Sequence, residues 1–408
     1  MSLHARLSFP RHLGWSLMAL ALTTSSALAQ TGGYALKTLN PPFLSSWTAC
    51  GAQYLGDNGD VLGRCGTFAG IEIQSGFPVM FTTYRPIVWR SGAGSPISLS
   101  LPSGQSAVQI HGIDAKGRVS ATLAPTRGGT FSMVTWDGNQ RTPWATTYSF
   151  LDWHLTRGLT ADGFLAASSH YIDRDGAHIV IADAQTRREI PVPPNVAAGM
   201  GKVQLHAAGS GYMLWLNERG QIALVTSDDN PDFSGPSYIH SRAWFWNGQV
   251  WREIAPPADP GSWQANSTLL VRGLNATGQV LLSEYAIEGT LVRDKRYVWS
   301  ESTGLVALPD DVHMYASEGL HIVADSGDVF GQAQFSNVQD LPRIGRYRAA
   351  VWRNGQMIDL NTLVKPPSGY AFVDVLDVNA QGQVLVYMDA LNAGTNTSKL
   401  RPALLLPR

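Results

Sequence analysis

Three sets of side chains in this sequence have the type and spacing to do chemistry. The first lies six residues before a recurrent glycine, where successive segments read Gln53, His111, Arg157, Leu214, Arg272, His321 and Leu376. Five of the seven are polar among apolar neighbours, and four carry or can acquire positive charge, so a ring of them could hold an anionic ligand or ordered water. The alternative is that each bonds the backbone of a neighbouring repeat unit, since buried polar groups are nearly always paired locally. Gly112, Gly158 and Gly273, one residue later, would let backbones approach closely there. The second set is aromatic: Trp47, Trp153, Trp263, Tyr315 and Tyr370 precede the same glycines. Such rings stack on sugars or apolar ligands, or else wedge between packed elements. The third set, Asp173-x-Asp175-Gly176 and Asp228-Asp229-x-x-Asp232, places carboxylates close enough to share a calcium ion. Neither has the full oxygen-ligand spacing of a known calcium loop, and both also read as ordinary turns. No H-E-x-x-H, G-x-S-x-G, G-x-x-x-x-G-K or C-x-x-C occurs. No catalytic residue can be named from the sequence, and no cofactor or metal is expected.

The elements that must position these residues form an internal repeat. Turn glycines at Gly59, Gly117, Gly163, Gly220, Gly278, Gly327 and Gly382 recur every 54 residues or so, about the period of propeller blades. Gly112-Ile113-Asp114-Ala115-Lys116-Gly117, Gly273-Leu274-Asn275-Ala276-Thr277-Gly278 and Asp377-Val378-Asn379-Ala380-Gln381-Gly382 are near copies. Asn or Asp opens such a turn by bonding its own backbone, and Gly supplies the positive φ, so each site predicts a hairpin. A third strand ends near Trp89, Trp136, Trp246, Trp299 and Trp352, with Ile181-Ala182 in the divergent third copy. A turn and a fourth strand follow. Four strands repeated seven times predict an all-β chain, a seven-bladed β-propeller, with six or eight blades as the alternative if the third copy is misread. The last copy lacks a fourth strand, and Tyr34 to Leu39 resembles one, so the N-terminal strand is expected to complete the last blade and cover its open edge. The longer connections, including Thr67 to Tyr84, Ser227 to His240 and Gln334 to Arg346, are expected on the face opposite the tight turns, where binding loops would lie.

Composition narrows the partners. The chain has 408 residues, 15% of them charged, a formal net charge of −1, 41 Gly, 13 Trp and 2 Cys. Without a basic excess it lacks the electrostatic term that drives nucleic-acid binding, so no nucleic-acid partner is expected. Residues 1–29 carry Arg6, Arg11 and His12, a short apolar run and Ala27-Leu28-Ala29, the pattern of a cleaved signal peptide. The apolar run is too short for a permanent membrane span. The reading is an exported protein, periplasmic or extracellular, whose single domain is residues 30–408. Cys50 and Cys65 flank a turn near Asp57-Asn58-Gly59 almost opposite each other, which suits a disulfide. Their register is one residue off ideal, so a bulge or an unpaired state are both open.

Leu274-Asn275-Ala276-Thr277-Gly278-Gln279-Val280 and Val351-Trp352-Arg353-Asn354-Gly355-Gln356-Met357-Ile358-Asp359-Leu360 resemble the bacterial extracellular repeats of the HAF family. The resemblance extends weakly over nearly the whole mature chain and departs in copies three and four. It implies an exported repeat protein and transfers no catalytic residue. Two function classes follow: a non-enzymatic binding or interaction scaffold, its ligand or protein partner unassigned, with a glycan or an anionic small molecule as candidates; or a propeller hydrolase or lyase acting on a polysaccharide. Fold cannot choose between them.

Overall fold

The computed structural model describes residues 33–408, except 41–46, 75–76, 92–94, 127–129, 145–153, 156–157, 170–177, 198–201, 204–213, 228–240, 255–266, 289–290, 309–319, 339–340, 342–344 and 392–399. The expected signal segment, residues 1–29, lies outside the described residues. The described strands form seven antiparallel sheets, one per sequence repeat. The first contains Trp47–Leu55, Val61–Gln74, Phe77–Trp89 and Ile97–Ser98, and the second Gln105–Ile113, Val119–Pro125, Ser132–Asp137 and Gln140–Pro143. The divergent third copy is a full sheet of His154–Leu155, Leu165–Ser169, His178–Ala182 and Arg187–Ile190. In the fourth, Lys202–Val203 and Leu214–Leu216 both pair with Ile222–Ser227, and Ser241–Trp246 and Trp251–Ile254 follow. The fifth runs from Ser267–Leu274 to Gly304–Ala307 and the sixth from Leu320–Val323 to Gln356–Asp359. The seventh holds Tyr370–Val378, Val384–Ala390 and Arg401–Pro407, and its outer place is taken by Tyr34–Thr38, antiparallel to Arg401–Pro407 with Leu36 opposite Leu405.

The repeat seen in sequence is a repeat of register. All seven turn glycines have positive φ, from 70° to 85°, and each N–H donates to the carbonyl three residues back, as in Gly117 to Asp114 and Gly278 to Asn275. This left-handed region is open to glycine at little steric cost. Two residues past each glycine, the first residue of the second strand faces the end of the third: Val61 opposite Trp89, Val119 opposite Trp136, Ile222 opposite Trp246, Val280 opposite Trp299 and Val329 opposite Trp352. In the third copy Leu165 faces Ala182 in the same place. The glycine thus sets where each blade-like unit begins, and the indole fills its end.

The core sits between sheets. Leu62 and Val88 of the first pack with Ile110 and Val134 of the second, Leu165 and Val180 of the third with Met133 of the second, and Ile181 of the third with Leu224 of the fourth. Phe245 of the fourth meets Val271 and Trp299 of the fifth, and Leu281 of the fifth meets Val329 of the sixth. Val351 of the sixth packs with Val384 of the seventh. Leu385 and Leu404 of the seventh join Ala52, Ile87 and Trp89 of the first. Burial of this kind supplies about 25 cal/mol per Å² of apolar surface, and here it is drawn from every junction.

Two expectations need correction or completion. Thr67 to Tyr84 is not a loop, because the second and third strands of the first sheet continue as a paired ribbon up to Gln74 opposite Phe77. Cys50 and Cys65 form the disulfide, and a bulge at Gln53 brings them into register. Tyr54 pairs with Leu62, but beyond Gln53 Ala52 pairs with Gly63, so Cys50 meets Cys65 directly instead of missing it by one residue.

Candidate functional site

The seven first strands end in the tight turns, and the turn ends enclose a cavity of about 170 Å³ lined by all seven repeats. Asp57, Glu218, Asp325 and Asp377 supply its charge among the described residues, Tyr54 and Trp215 its aromatic wall, and no Lys or Arg is among the described lining residues. Asp57, Glu218 and Asp325 stand two residues before their turn glycines, where the other four copies have alanine: Ala115, Ala161, Ala276 and Ala380.

Most of these groups are tied to a neighbouring sheet. Asp57 Oδ1 accepts the Ala380 N–H at 2.9 Å, Asp325 Oδ1 accepts the Ala276 N–H at 2.8 Å, and Asp377 Oδ2 accepts the Leu55 N–H at 2.8 Å. The turn-opening asparagines bridge in the same way. Nδ2 of Asn217 donates to Asn275 O, that of Asn275 to Ala324 O, and that of Asn379 to Gly56 O. Glu218 differs: the Ala161 N–H goes to its backbone carbonyl at 3.1 Å, leaving the longer carboxyl side chain for the cavity. Burial pushes the Glu218 carboxyl up to about 8, helped by the neighbouring acids Asp57 and Asp325, against the pull of Arg219.

Gln53, His111 and Arg272, the described polar side chains of the ring read from spacing, are not among the residues lining this cavity. The ring position is a β-bulge in five copies: the pairing register shifts at Gln53, His111, Arg272, His321 and Leu376. A bulge leaves one residue without a direct partner and turns the strand. His111 is fully buried, with Nε2 2.8 Å from Thr122 Oγ1, and Arg272 Nε donates to Ser283 Oγ at 2.9 Å. Thr122 and Ser283 both lie on the adjoining strand, eleven residues on. The carbonyl just before three of the bulges is taken by another sheet: Tyr54 Oη donates to Ile110 O, Trp215 Nε1 to Val271 O and Tyr387 Oη to Ala52 O. His111 and Arg272 thus bond side-chain hydroxyls of their own sheets, not the backbone of a neighbouring repeat unit. Burial holds the His111 imidazole down to about 3, so it stays neutral. Gln53 is half-buried at its bulge, the side chain of His321 is outside the described residues, and so is Arg157.

Of the entry aromatics, Tyr370 is half-buried against the core between the sixth and seventh sheets, with the Arg401 guanidinium 5.0 Å from its ring centre. Trp153, Trp263 and Tyr315, and the side chain of Trp47, lie outside the described residues, as do both candidate calcium segments. Among the described residues no group of three or more His, Cys, Asp or Glu is placed to hold a metal ion. Sequence reasoning missed the acids two residues before the turn glycines. The signal was present as Asp57, Glu218 and Asp325 in a column otherwise filled by alanine.

No family model and no curated protein matches the chain. Among solved structures it is similar to the β-propeller domain of the Trilobed protease from Pyrococcus furiosus, at 10% identity and a TM-score of 0.51, over 90% of this chain and 97% of that one. It is also similar to the uncomplexed acylaminoacyl peptidase of Pyrococcus horikoshii, at 11% identity and a TM-score of 0.50, over 87% of this chain. The chain spans about half the length of that peptidase, 51%. At these identities the likeness is one of fold: an all-β protein of propeller type. No helix among the described residues is long and apolar enough to cross a membrane.

Proposed function

We propose that the chain is an exported, HAF-type, seven-bladed β-propeller, closed by its N-terminal strand, that serves as a binding scaffold for a small polar ligand such as a glycan unit. The observation that carries this reading is the cavity to which all seven repeats contribute, with carboxylates and asparagine amides beside Trp215 and Tyr54. Aromatic faces and hydrogen-bonding groups together suit a sugar, and the volume accommodates several waters or one small polar molecule. The acids disfavour an anionic ligand at this end. Export is supported by the signal-like residues 1–29 and by the disulfide, which oxidising compartments preserve.

Closure is supported by the pairing of Tyr34–Thr38 with Arg401–Pro407 and by the packing of the seventh sheet on the first. Deleting residues 30–40 should lower the melting temperature of the whole domain, and a deletion protein melting like the parent would refute the closed ring. For the function, a glycan array and a polysaccharide panel are the test. Retention of a glycan without product release is expected. Release of oligosaccharides would establish the hydrolase or lyase instead.

A further inference from the structure

The tight turns do not need an acid. In four copies alanine stands two residues before the turn glycine, at Ala115, Ala161, Ala276 and Ala380, and these turns close with the same glycine N–H bond as the others. Where an acid replaces alanine, two of the three are spent on a junction between sheets: Asp57 accepts the Ala380 N–H and Asp325 the Ala276 N–H. Glu218 is not spent in that way. The junction of the third and fourth sheets is made by its backbone, since the Ala161 N–H donates to the Glu218 carbonyl, a bond that alanine would make as well. Neither turn nor junction accounts for a carboxyl at 218, yet Glu218 lines the cavity. The aromatic part of the same wall is fixed in place. Trp215 Nε1 donates to Val271 O at 2.9 Å and Tyr54 Oη to Ile110 O at 3.1 Å, so each ring is held by its polar end.

We infer, on the basis of the scaffold reading above, that Glu218 selects the ligand of this cavity and that the ligand carries a protonated amine, as an amino sugar does. Asp57, Asp325 and Asp377 share the wall, and no Lys or Arg is among the described lining residues, so the space favours a cation. An ammonium brings three donors for carboxylate oxygens, and the faces of Trp and Tyr attract it as well. A neutral sugar lacks the charge, and an acidic one is repelled. The charged groups facing Glu218 are Asp57, Asp325 and Arg219, with Asp377 on the same wall. Burial and the neighbouring acids push the Glu218 carboxyl up to about 8, so near neutrality it holds a proton that an arriving ammonium displaces. Binding of an amine therefore releases protons, and binding of a neutral sugar does not.

The test uses the mature chain with glucose, glucosamine, glucuronate and methylamine as probes, their affinities read by ligand-observed NMR at about pH 6.5, where an amine is protonated. Wild type should bind glucosamine about tenfold tighter than glucose, the margin of one hydrogen bond to a charged group, and glucuronate weakest. Glu218→Gln keeps a polar side chain of the same length that cannot ionise, so the preference should vanish. Equal affinity for glucose and glucosamine in wild type, or a preference that survives in Glu218→Gln, would overturn the selection by Glu218 while the glycan scaffold stands. Methylamine binding that Glu218→Gln abolishes, with no sugar bound, would support the selection and remove the glycan. Binding of none of the four probes would overturn the selection too. Should the variant fail to fold, calorimetric titration of wild type with glucosamine in two buffers of different ionisation enthalpy decides: net proton release supports it, and no release overturns it.

Discussion

The bulge layer and the turn layer follow one another along the first strands, with Asp377 one residue past the bulge at Leu376 and Asp57 four residues past that at Gln53, yet they look in different directions. At the bulges, His111 and Arg272 turn to hydroxyls of the adjoining strand in their own sheet. In the turns, Asp57, Asp325 and Asp377 reach the backbone of the next sheet and face the cavity. Side chains in a strand alternate faces with a period of two, and a bulge breaks that alternation by one residue. A polar column read from spacing alone therefore lands on the wrong side of the break. In the bulge layer the side chains of His111 and Arg272 bond within their own sheets while backbone carbonyls accept from another sheet, and in the turn layer the acid side chains themselves join the sheets.

Breaking the turn layer should cost most where two backbones touch. Gly158 has φ +110°, and a Cβ there would run into the carbonyl oxygen of Leu216, which belongs to the next sheet. Backbone atoms of two sheets cannot both yield, so Gly158→Ala is expected to destabilise by more than about 3 kcal/mol. Gly138 also has positive φ, +58°, but a Cβ there meets nothing within 4 Å. Gly138→Ala should cost only about 1 kcal/mol, the intrinsic penalty for the left-handed region. Urea unfolding of the two variants compares them directly. Equal midpoints would mean that the approach of the third and fourth sheets is looser than the geometry requires.

The two layers should also respond to pH with opposite sign. The His111 imidazole is held down to about 3 from 6.5 by burial, so the unfolded chain takes a proton that the folded chain refuses. Stability contributed by the neutral histidine is present above pH 6.5 and is lost as pH falls toward 3, by on the order of 3 kcal/mol between pH 6.5 and 4. His111→Gln should flatten this acid limb and leave the alkaline limb, which belongs to Glu218, in place. Between pH 4.5 and 6.5 the two slopes oppose each other, so wild type alone shows a broad plateau. Unfolding free energies at pH 4, 6 and 9 for His111→Gln and Glu218→Gln would separate them. An unchanged acid limb in His111→Gln would move the buried proton acceptor elsewhere.

Much of the framework was legible because it rests on local chemistry. Gly59 through Gly382 announce the turns by a conformation other residues avoid, and Trp89 through Trp352 mark strand ends by their place in the period. The spare strand at Tyr34 was legible from what the last copy lacked. The bulges were not, since Gln53, His111 and Leu376 share no residue type and a bulge is set by how two strands pair, not by either one alone. The same blindness left the Cys50–Cys65 register a residue short and hid the acids of the cavity. Asp57 and Glu218 lie 161 residues apart, and only the arrangement of sheets brings them to one cavity.

The smallest effect expected, and the one that most sharpens the contrast, is the coupling inside a bulge. Arg272 and Ser283 are half-buried and fully buried, joined by one hydrogen bond of 2.9 Å within the fifth sheet. A double-mutant cycle of Arg272→Ala and Ser283→Ala should give a coupling of about 1 kcal/mol, typical of a single protein hydrogen bond after exchange with water. Crossing the layers instead, a cycle of Arg272→Ala with Asp325→Ala pairs groups of opposite charge on adjacent sheets. If charge complementarity across the two layers organised the centre of the molecule, this second cycle would show the larger coupling. If each layer serves its own neighbours, it should fall below about 0.5 kcal/mol, the level at which separate sites are additive. The bonds of Asp325 to Ala276 and of Arg272 to Ser283 lead to the latter outcome, because each group's principal partner remains in place when the other is removed.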